Sequence, residues 1–313
     1  MDYQIAAYYF PNYHVDARNQ LVHGKGWTEW ELVRCARPRF AGHDQPKVPL
    51  WGYEDEADPV AFARKIDVAV DHGLSAFIFD WYYYNDGPFL NAALDRGFLS
   101  AVNNHRLQFS LMWANHNWYN IFPASTDMTH CPLLHPGQVT KDTWETIMDL
   151  CVQRYFPHPS YQRVDGKPVF SIYDLTNLIQ GLGGIEATRA ALDAFREQVI
   201  AAGFPGLHLQ AILWGVIPKS VSMVPGDHRQ SQDNTIRALG FDSLTNYQWC
   251  HYVRPQGDYQ AWAKTAMAAW DVWTREFSVP FHPHVSVGWD TNPRFRKVCE
   301  SITGSTSERF GAA

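Results

Sequence analysis

The chain has 313 residues, of which 46% are hydrophobic, and this length suits one (β/α)₈ barrel or two smaller domains. Its 26 basic and 32 acidic residues give a net charge of −6 without a run of lysine or arginine, which disfavours nucleic acid and anionic membrane surfaces as partners. We find no signal region at the N-terminus and no apolar stretch of membrane-spanning length, so a cytoplasmic protein without membrane insertion is expected.

Short β-branched and aromatic runs alternate along the chain with longer helical patterns. Seven segments are predicted as strands: 4–10, 75–80, 108–113, 168–173, 207–213, 242–247 and 284–288. Apolar residues at helical spacing predict helices over 59–72, 141–155, 185–202 and 258–277. This alternation predicts a parallel sheet covered by helices, and the absence of a linker-like stretch predicts one domain over residues 1–313.

The strand count bears on how this sheet closes. A TIM-type barrel needs eight strands, and seven are predicted. A doubly wound Rossmann-type sheet is the alternative, but no Gly-x-Gly-x-x-Gly turn follows the first strand. Residues 304–313 have the pattern of a helix N-cap and first turn. We therefore expect an α/β chain with a (β/α)₈ barrel that lacks its eighth strand and last helix, as in a C-terminally truncated form.

The loop after the first strand combines aromatic rings with polar side chains. Trp27, Glu29 and Trp30 lie close together, and His43 and Gln45 follow. Tryptophan covers the apolar face of a pyranose ring, while carboxylate, imidazole and amide groups bind hydroxyls. The loop therefore favours a sugar site. The alternative is that these aromatic side chains belong to the core.

Similar residues follow the other predicted strands, at the edge where the active sites of βα barrels lie. The candidate catalytic residues are Glu29, Asp80, His116 and Asp290. The candidate substrate-binding residues are Tyr8, Trp27, Trp30, His43, Gln45, Trp81, Tyr82, Trp113, Asn115, Asn117, Trp118, Tyr173, Tyr247, Trp289 and Arg294. Two alternatives stay open: Asp174 is a helix cap or a functional residue, and Arg294 binds ligand or pairs with Asp290.

Metal and cofactor sites are not expected. The five cysteines are irregularly spaced without a Cys-x-x-Cys pair, which disfavours both a disulfide framework and structural zinc. The close histidine pairs, His14 with His23 and His282 with His284, lack the spacing of a zinc site. The predicted partner is an oligosaccharide or polysaccharide, with no metal and no cofactor.

Several motifs also resemble a known family. In chain order they are AYYFPNYH, GKGWTEW, RPRFAGHDQPKVP, GLSAFIFDWYYYND, LMWANHNW and VSVGWDTNPR. They resemble the glycoside hydrolase family 99-like proteins, the WbsX-type group found beside lipopolysaccharide and capsule genes. The resemblance covers nearly the whole chain. It implies a barrel that acts on glycans, and family 99 hydrolases are retaining endo-acting α-mannosidases and mannanases.

Two departures from that family bear on function. Its essential glutamates lie largely in a strand-eight Asn-Glu-Trp motif that this sequence lacks, and many relatives have a glutamate in the place of His116. The leading hypothesis is thus a glycoside hydrolase-like protein acting on manno-oligosaccharide or cell-surface polysaccharide, with an incomplete catalytic pair. The alternatives are a glycosyltransferase of lipopolysaccharide or capsule assembly, disfavoured by the lack of Asp-x-Asp, and an inactive glycan-binding remnant.

Overall fold

The computed structural model describes residues 3–121, 131–214, 228–295 and 298–313. Within them, seven parallel strands form one curled sheet in chain order. They are β1 (Ala6–Tyr9), β2 (Ala76–Tyr84), β3 (Gln108–Trp113), β4 (Lys167–Ile172), β5 (His208–Ile212), β6 (Ser243–Thr245) and β7 (Phe281–His282). The predicted fold class is confirmed, because this sheet with its helices is an incomplete (β/α)₈ barrel.

Helices lie between and beside these strands. The described α-helices are α1 (Ala17–His23), α2 (Trp30–Cys35), α3 (Pro59–Asp71), α4 (Lys141–Leu150), α5 (Leu175–Leu182), α6 (Ile185–Ala201), α7 (His228–Leu239), α8 (Tyr259–Glu276) and α9 (Ser307–Gly311). Two π-helical segments cover Ala93–Phe98 and Cys151–Tyr155. None of the described helices is long and apolar enough to cross a membrane.

The four predicted helices are confirmed, while one strand is displaced. The prediction for 284–288 is wrong, since the seventh strand lies at Phe281–His282. The displaced segment makes its hydrogen bonds with side chains instead of a strand ladder. The carbonyl of His284 accepts from Trp249 Nε1 at 2.6 Å, and that of Ser286 accepts from the Tyr259 hydroxyl at 2.8 Å. These side chains replace the partner strand for this part of the backbone.

Helix α3 illustrates how the outer layer forms. The side chain of Asp58 caps its N-terminus, and Pro59 occupies the first turn, where its missing N–H removes no hydrogen bond. Phe62 and Ile66, four residues apart, form a buried stripe facing the sheet. Burial of each such side chain contributes roughly 1.5–3 kcal/mol.

The side chains of β2 alternate between two environments because the period of a strand is two. Phe77, Phe79 and Trp81 point outward into the core between the sheet and its helices. Asp80 and Tyr82 point to the barrel interior and line a cavity at the end of the barrel where the strands have their carboxyl ends. The alternation thus decides which residues of this aromatic strand can meet a ligand.

Long-range side-chain contacts connect the two ends of the curled sheet. Tyr8 on β1 packs edge-on against Tyr247 with ring centroids 4.8 Å apart, and lies 5.6 Å from the ring of His284. Its hydroxyl donates to the carbonyl of Asn246 at 3.1 Å. These contacts bring the loops after the first and last described strands to the same end of the barrel.

Candidate functional site

A cavity of about 690 Å³ lies at the carboxyl ends of the strands. This is the edge at which barrel enzymes place their active sites. Many residues predicted for the site line it: Glu29, Trp30, Gln45, Asp80, Tyr82, His116, Asn117, Trp118, Tyr173, Tyr247, Trp289, Asp290 and Arg294. The structure therefore brings together side chains from loops that are far apart in sequence.

Six candidates do not line this cavity: Tyr8, Trp27, His43, Trp81, Trp113 and Asn115. Trp81 and Trp113 lie on the outward faces of β2 and β3, in the core beneath the helices. Trp27 is buried in a smaller cluster and packs on His23 at 4.3 Å. Strand alternation turns Trp81 and Trp113 away from the cavity, and local packing buries Trp27, so none of the three rings is placed to stack on a sugar bound there.

Asn115 and Asp174 form a structural junction between β3 and α5. The Asn115 amide donates to the Asp174 carbonyl at 2.8 Å, and its oxygen accepts from the Asp174 N–H at 2.7 Å. The Asp174 carboxylate accepts from the N–H of Asn177 at 2.9 Å and thereby caps α5. Of the two alternatives for Asp174, the structure shows the helix cap. Asp174 also lines a second cavity, beside the first.

Asp80 is the buried acid of the cavity wall, with 3% of its surface exposed. Its Oδ2 accepts a hydrogen bond of 2.6 Å from the Tyr247 hydroxyl, and its Oδ1 has no partner among the described residues. Burial raises the pKa of Asp80 to about 8, against the smaller lowering effect of the Tyr247 hydrogen bond. The carboxyl group thus holds its proton at neutral pH.

His116 follows the end of β3, the strand beside β2, and lies between aromatic rings. It stacks on Trp118 at 5.8 Å and meets Tyr173 edge-on at 5.4 Å. Burial lowers its pKa, so the imidazole is neutral at pH 7. Nδ1 lies 2.9 Å from the carbonyl of Asn117, which can only accept, so Nδ1 carries the hydrogen and Nε2 is an acceptor.

Glu29 and Arg294 form an ion pair across 265 residues of sequence. Glu29 Oε1 lies 2.7 Å from Nε and 2.6 Å from Nη2 of Arg294, and Oε2 accepts from the Asn12 amide at 2.9 Å. The alternative pairing of Arg294 with Asp290 is not the one observed. Since the guanidinium of Arg294 compensates its negative charge, we assign Glu29 a supporting role for the cavity wall.

A Glu29→Gln substitution tests this role. It should lower the free energy of unfolding by about 1–3 kcal/mol, because the ion pair with Arg294 loses the negative charge of Glu29 while the side-chain shape is kept. Denaturant titration measures the change, with Glu31→Gln on the exposed face of α2 as control. Full loss of catalysis at unchanged stability would instead identify Glu29 as a catalytic acid.

Asp290 is surrounded by hydrogen-bond donors. Its Oδ2 accepts from His43 Nε2 at 2.8 Å and from Gln45 Nε2 at 2.6 Å, while Oδ1 accepts from the backbone and side chain of Asn292. Burial alone would raise the pKa of Asp290, but these hydrogen bonds outweigh it and lower the pKa. Asp290 is therefore held as a carboxylate. His43 does not line the cavity, but it donates a hydrogen bond to Asp290, which does.

His251 is a wall residue that the sequence reasoning missed. Its Nε2 lies 3.3 Å from the Tyr173 hydroxyl, and its ring stacks on Trp214 at 4.8 Å. Burial lowers its pKa to about 4, so it is neutral. His251 lies in the 3₁₀ turn Trp249–His251, which follows β6. The sequence points to this loop, because it predicts a strand that ends with Asn246 and Tyr247.

Within the described part of the chain, no group of three or more metal-binding side chains is found.

Comparison with known proteins places this geometry in context. A family model described as Glycosyltransferase WbsX matches residues 5–313. Two curated proteins of Xanthomonas campestris pv. campestris, from strains B100 and ATCC 33913, are each named uncharacterized protein WxcX. Each is 30% identical over 170 residues, covering 54% of this chain. The match spans 24% of the length of those relatives.

Solved structures show a similar fold. The GH99 endo-alpha-mannosidase from Bacteroides thetaiotaomicron superposes with a TM-score of 0.54 and 14% identity, covering 93% of this chain and 74% of that one. A protein described as glycoside hydrolase-like gives a TM-score of 0.53 with 17% identity, covering 92% and 72%. At these identities the likeness concerns the fold alone.

Proposed function

The chain belongs to the Glycosyltransferase WbsX family, and from this premise we propose that it processes glycans in the cavity that Asp80 lines. The proposed ligand is an oligosaccharide or polysaccharide, and the proposed reaction is cleavage of a glycosidic bond. The observation that supports it best is a protonated, buried carboxyl group in a cavity walled by aromatic rings. The fold shared with a GH99 endo-alpha-mannosidase is consistent with this assignment.

Two acids in this cavity have pKa values displaced in opposite directions. Burial raises that of Asp80, whereas the donors around Asp290 overcome burial and lower that of Asp290. Opposite displacement of the pKa values of two carboxyl groups in one cavity is how glycosidases separate a proton donor from an ionised partner. Asp80 therefore takes the role of acid, and Asp290 that of the carboxylate that stabilises positive charge on the sugar.

The contacts of Asp80 fit proton donation. Asp80 gives its proton to the glycosidic oxygen while the bond from that oxygen to the anomeric carbon breaks. The Tyr247 hydroxyl, 2.6 Å from Oδ2, continues to donate and stabilises the new carboxylate. Water then adds to the anomeric carbon and returns a proton to the site. Tyr247 thus positions the acid and lowers the free energy of its charged form.

The pH dependence follows from the state of Asp80. The acid form is required, so kcat/KM should fall about tenfold per pH unit above pH 8. Tyr247→Phe removes a hydrogen bond that lowers the pKa of Asp80, so this decline should begin at higher pH in the variant. Initial rates across pH 6–10 measure both. A decline that stays in place in Tyr247→Phe would exclude Asp80 as the titrating acid.

Glycosyl transfer is the second candidate, favoured by the description of the matching family model. The two reactions differ in what they consume. Incubation with labelled sugar nucleotides and an acceptor tests transfer, which releases nucleotide and lengthens the acceptor. Incubation with oligosaccharide alone tests hydrolysis, which shortens the chain. Asp80→Asn is the control in both assays, and activity that survives in this variant would contradict the proposed role of Asp80.

A further inference from the structure

We propose that a second cavity, of about 640 Å³, binds further units of the same glycan outside the reacting sugar. The inference rests on the proposed function. Both cavities are lined by His116, Asn117, Tyr119 and Tyr173, so they adjoin along a common wall. Each has the volume of a cavity that buries most of a drug-sized ligand, and a single sugar unit does not fill both.

Trp214 supplies a stacking surface in the second cavity. It follows the end of β5, and its ring packs on His251 at 4.8 Å with an interplanar angle of 25°. Tyr173 meets it edge-on at 4.6 Å. With these neighbours in place, 39% of Trp214 is still exposed. A ring held by other rings but partly open to solvent suits the apolar face of a pyranose.

The polar lining determines which sugars fit. Amide side chains dominate it: Asn117, Gln138, Asn177 and Gln180, with Gln138 Nε2 donating to Gln180 Oε1 at 2.8 Å. Amides both donate and accept, as sugar hydroxyls do. Among the described residues that line this cavity, none is lysine or arginine, and Asp174 is acidic. The acidic side chain of Asp174 therefore disfavours uronic acids and phosphorylated sugars relative to uncharged sugar units.

The position of the common wall determines the order in which a bound glycan meets the residues of the two cavities. Asp80 and its Tyr247 partner lie in the first cavity, while Trp214 lies in the second. His116 and Tyr173 belong to both. A glycan that spans the two cavities therefore passes His116 and Tyr173 between the reacting bond and the Trp214 surface.

Chain length is the variable that tests this arrangement. Calorimetry with neutral manno-oligosaccharides, from disaccharide to hexasaccharide, should show tighter binding of the longer chains by the full 313-residue protein. Trp214→Ala should weaken hexasaccharide binding at least about fivefold, as expected for a stacked aromatic contact, and leave disaccharide binding unchanged. Gln180 is exposed on α5, and Gln180→Ala should weaken the binding of the longer oligosaccharides in the same way.

Trp51→Ala is the matched control. Trp51 is 38% exposed, close to the value for Trp214; it packs on Arg64 and lines neither cavity. This variant should bind every oligosaccharide as the parent chain does. Oligogalacturonides of equal length should bind more weakly than the neutral series.

Three outcomes would overturn the proposal. Unchanged hexasaccharide binding by Trp214→Ala and Gln180→Ala would exclude the second cavity while leaving the proposed function in place. An equal loss for short and long chains would assign Trp214 to the reacting unit instead. Failure of the parent chain to bind any oligosaccharide would overturn the proposed function itself.

Discussion

Asp80→Asn is expected to slow glycosidic cleavage strongly while making the folded chain more stable. The rate should fall by about 10²–10⁴, because the amide keeps the shape of the side chain but cannot donate a proton to the leaving oxygen. The Tyr247 hydroxyl, which donates to Asp80 at 2.6 Å, can still donate to the amide oxygen. The variant therefore separates proton transfer from the integrity of the cavity wall.

The stability gain follows from the raised pKa of Asp80, about 8 in the folded chain against its ordinary value of 3.8. Between these pH values the folded state keeps a proton that the unfolded state releases. The free energy of unfolding of the parent chain should therefore decrease as pH rises from about 4 to 8. Asparagine does not ionise, so the variant should gain at most about 4 kcal/mol at pH 7.

Denaturant titrations at pH 5 and pH 8 measure this effect. The difference between the two pH values should be smaller in Asp80→Asn than in the parent chain. Glu197→Gln, an exposed carboxylate on α6, should behave like the parent. If Asp80→Asn and the parent lost the same stability between these pH values, Asp80 would have an ordinary pKa and the proposed acid would be wrong.

Trp113→Ala should lower the free energy of unfolding by about 3–5 kcal/mol. Trp113 is fully buried on the outward face of β3 and packs against Trp144 at 5.4 Å. Its Nε1 donates to the Tyr83 carbonyl at 3.1 Å, so truncation leaves both a void and an unpaired carbonyl. Thermal and denaturant unfolding measure the loss.

Trp289→Ala is the comparison for this second prediction. Trp289 lines the cavity and is partly exposed, so its truncation should change stability by less than about 1 kcal/mol and weaken glycan binding instead. The opposite pattern would restore the sugar-stacking interpretation of Trp113. That pattern is a stable Trp113→Ala that no longer binds glycan.

Much of the fold is predictable because hydrophobic period and helix caps are local properties. Pro59–Asp71 begins at a proline after a capping aspartate and repeats its apolar residues at helical spacing, so the sequence alone locates it. The N-cap expected near the end of the chain is observed at Thr306, before α9. The sequence misplaces the seventh strand because the side chains of Trp249 and Tyr259 donate to the carbonyls of His284 and Ser286, and local sequence does not reveal those contacts.

The candidate site was predictable as a set of loops. The sequence places Asp80, Asn117 and Tyr247 at or after strand ends, and parallel strands bring their carboxyl ends to one edge. All three line the cavity. Composition and order along the chain are enough for this step, because strand direction in a parallel barrel fixes the edge at which the loops meet.

Individual roles depended on tertiary structure. Asp80 and Trp81 are neighbours in sequence, yet only the direction in which the sheet curls places the first in the cavity and the second in the core. Glu29 meets Arg294 only through the folded chain, and local sequence does not reveal that ion pair. Burial and charge partners set the pKa of an acid, and both come from residues distant in sequence. The sequence by itself thus determined the barrel and the edge where the candidate site lies, whereas packing decided which acid keeps its proton.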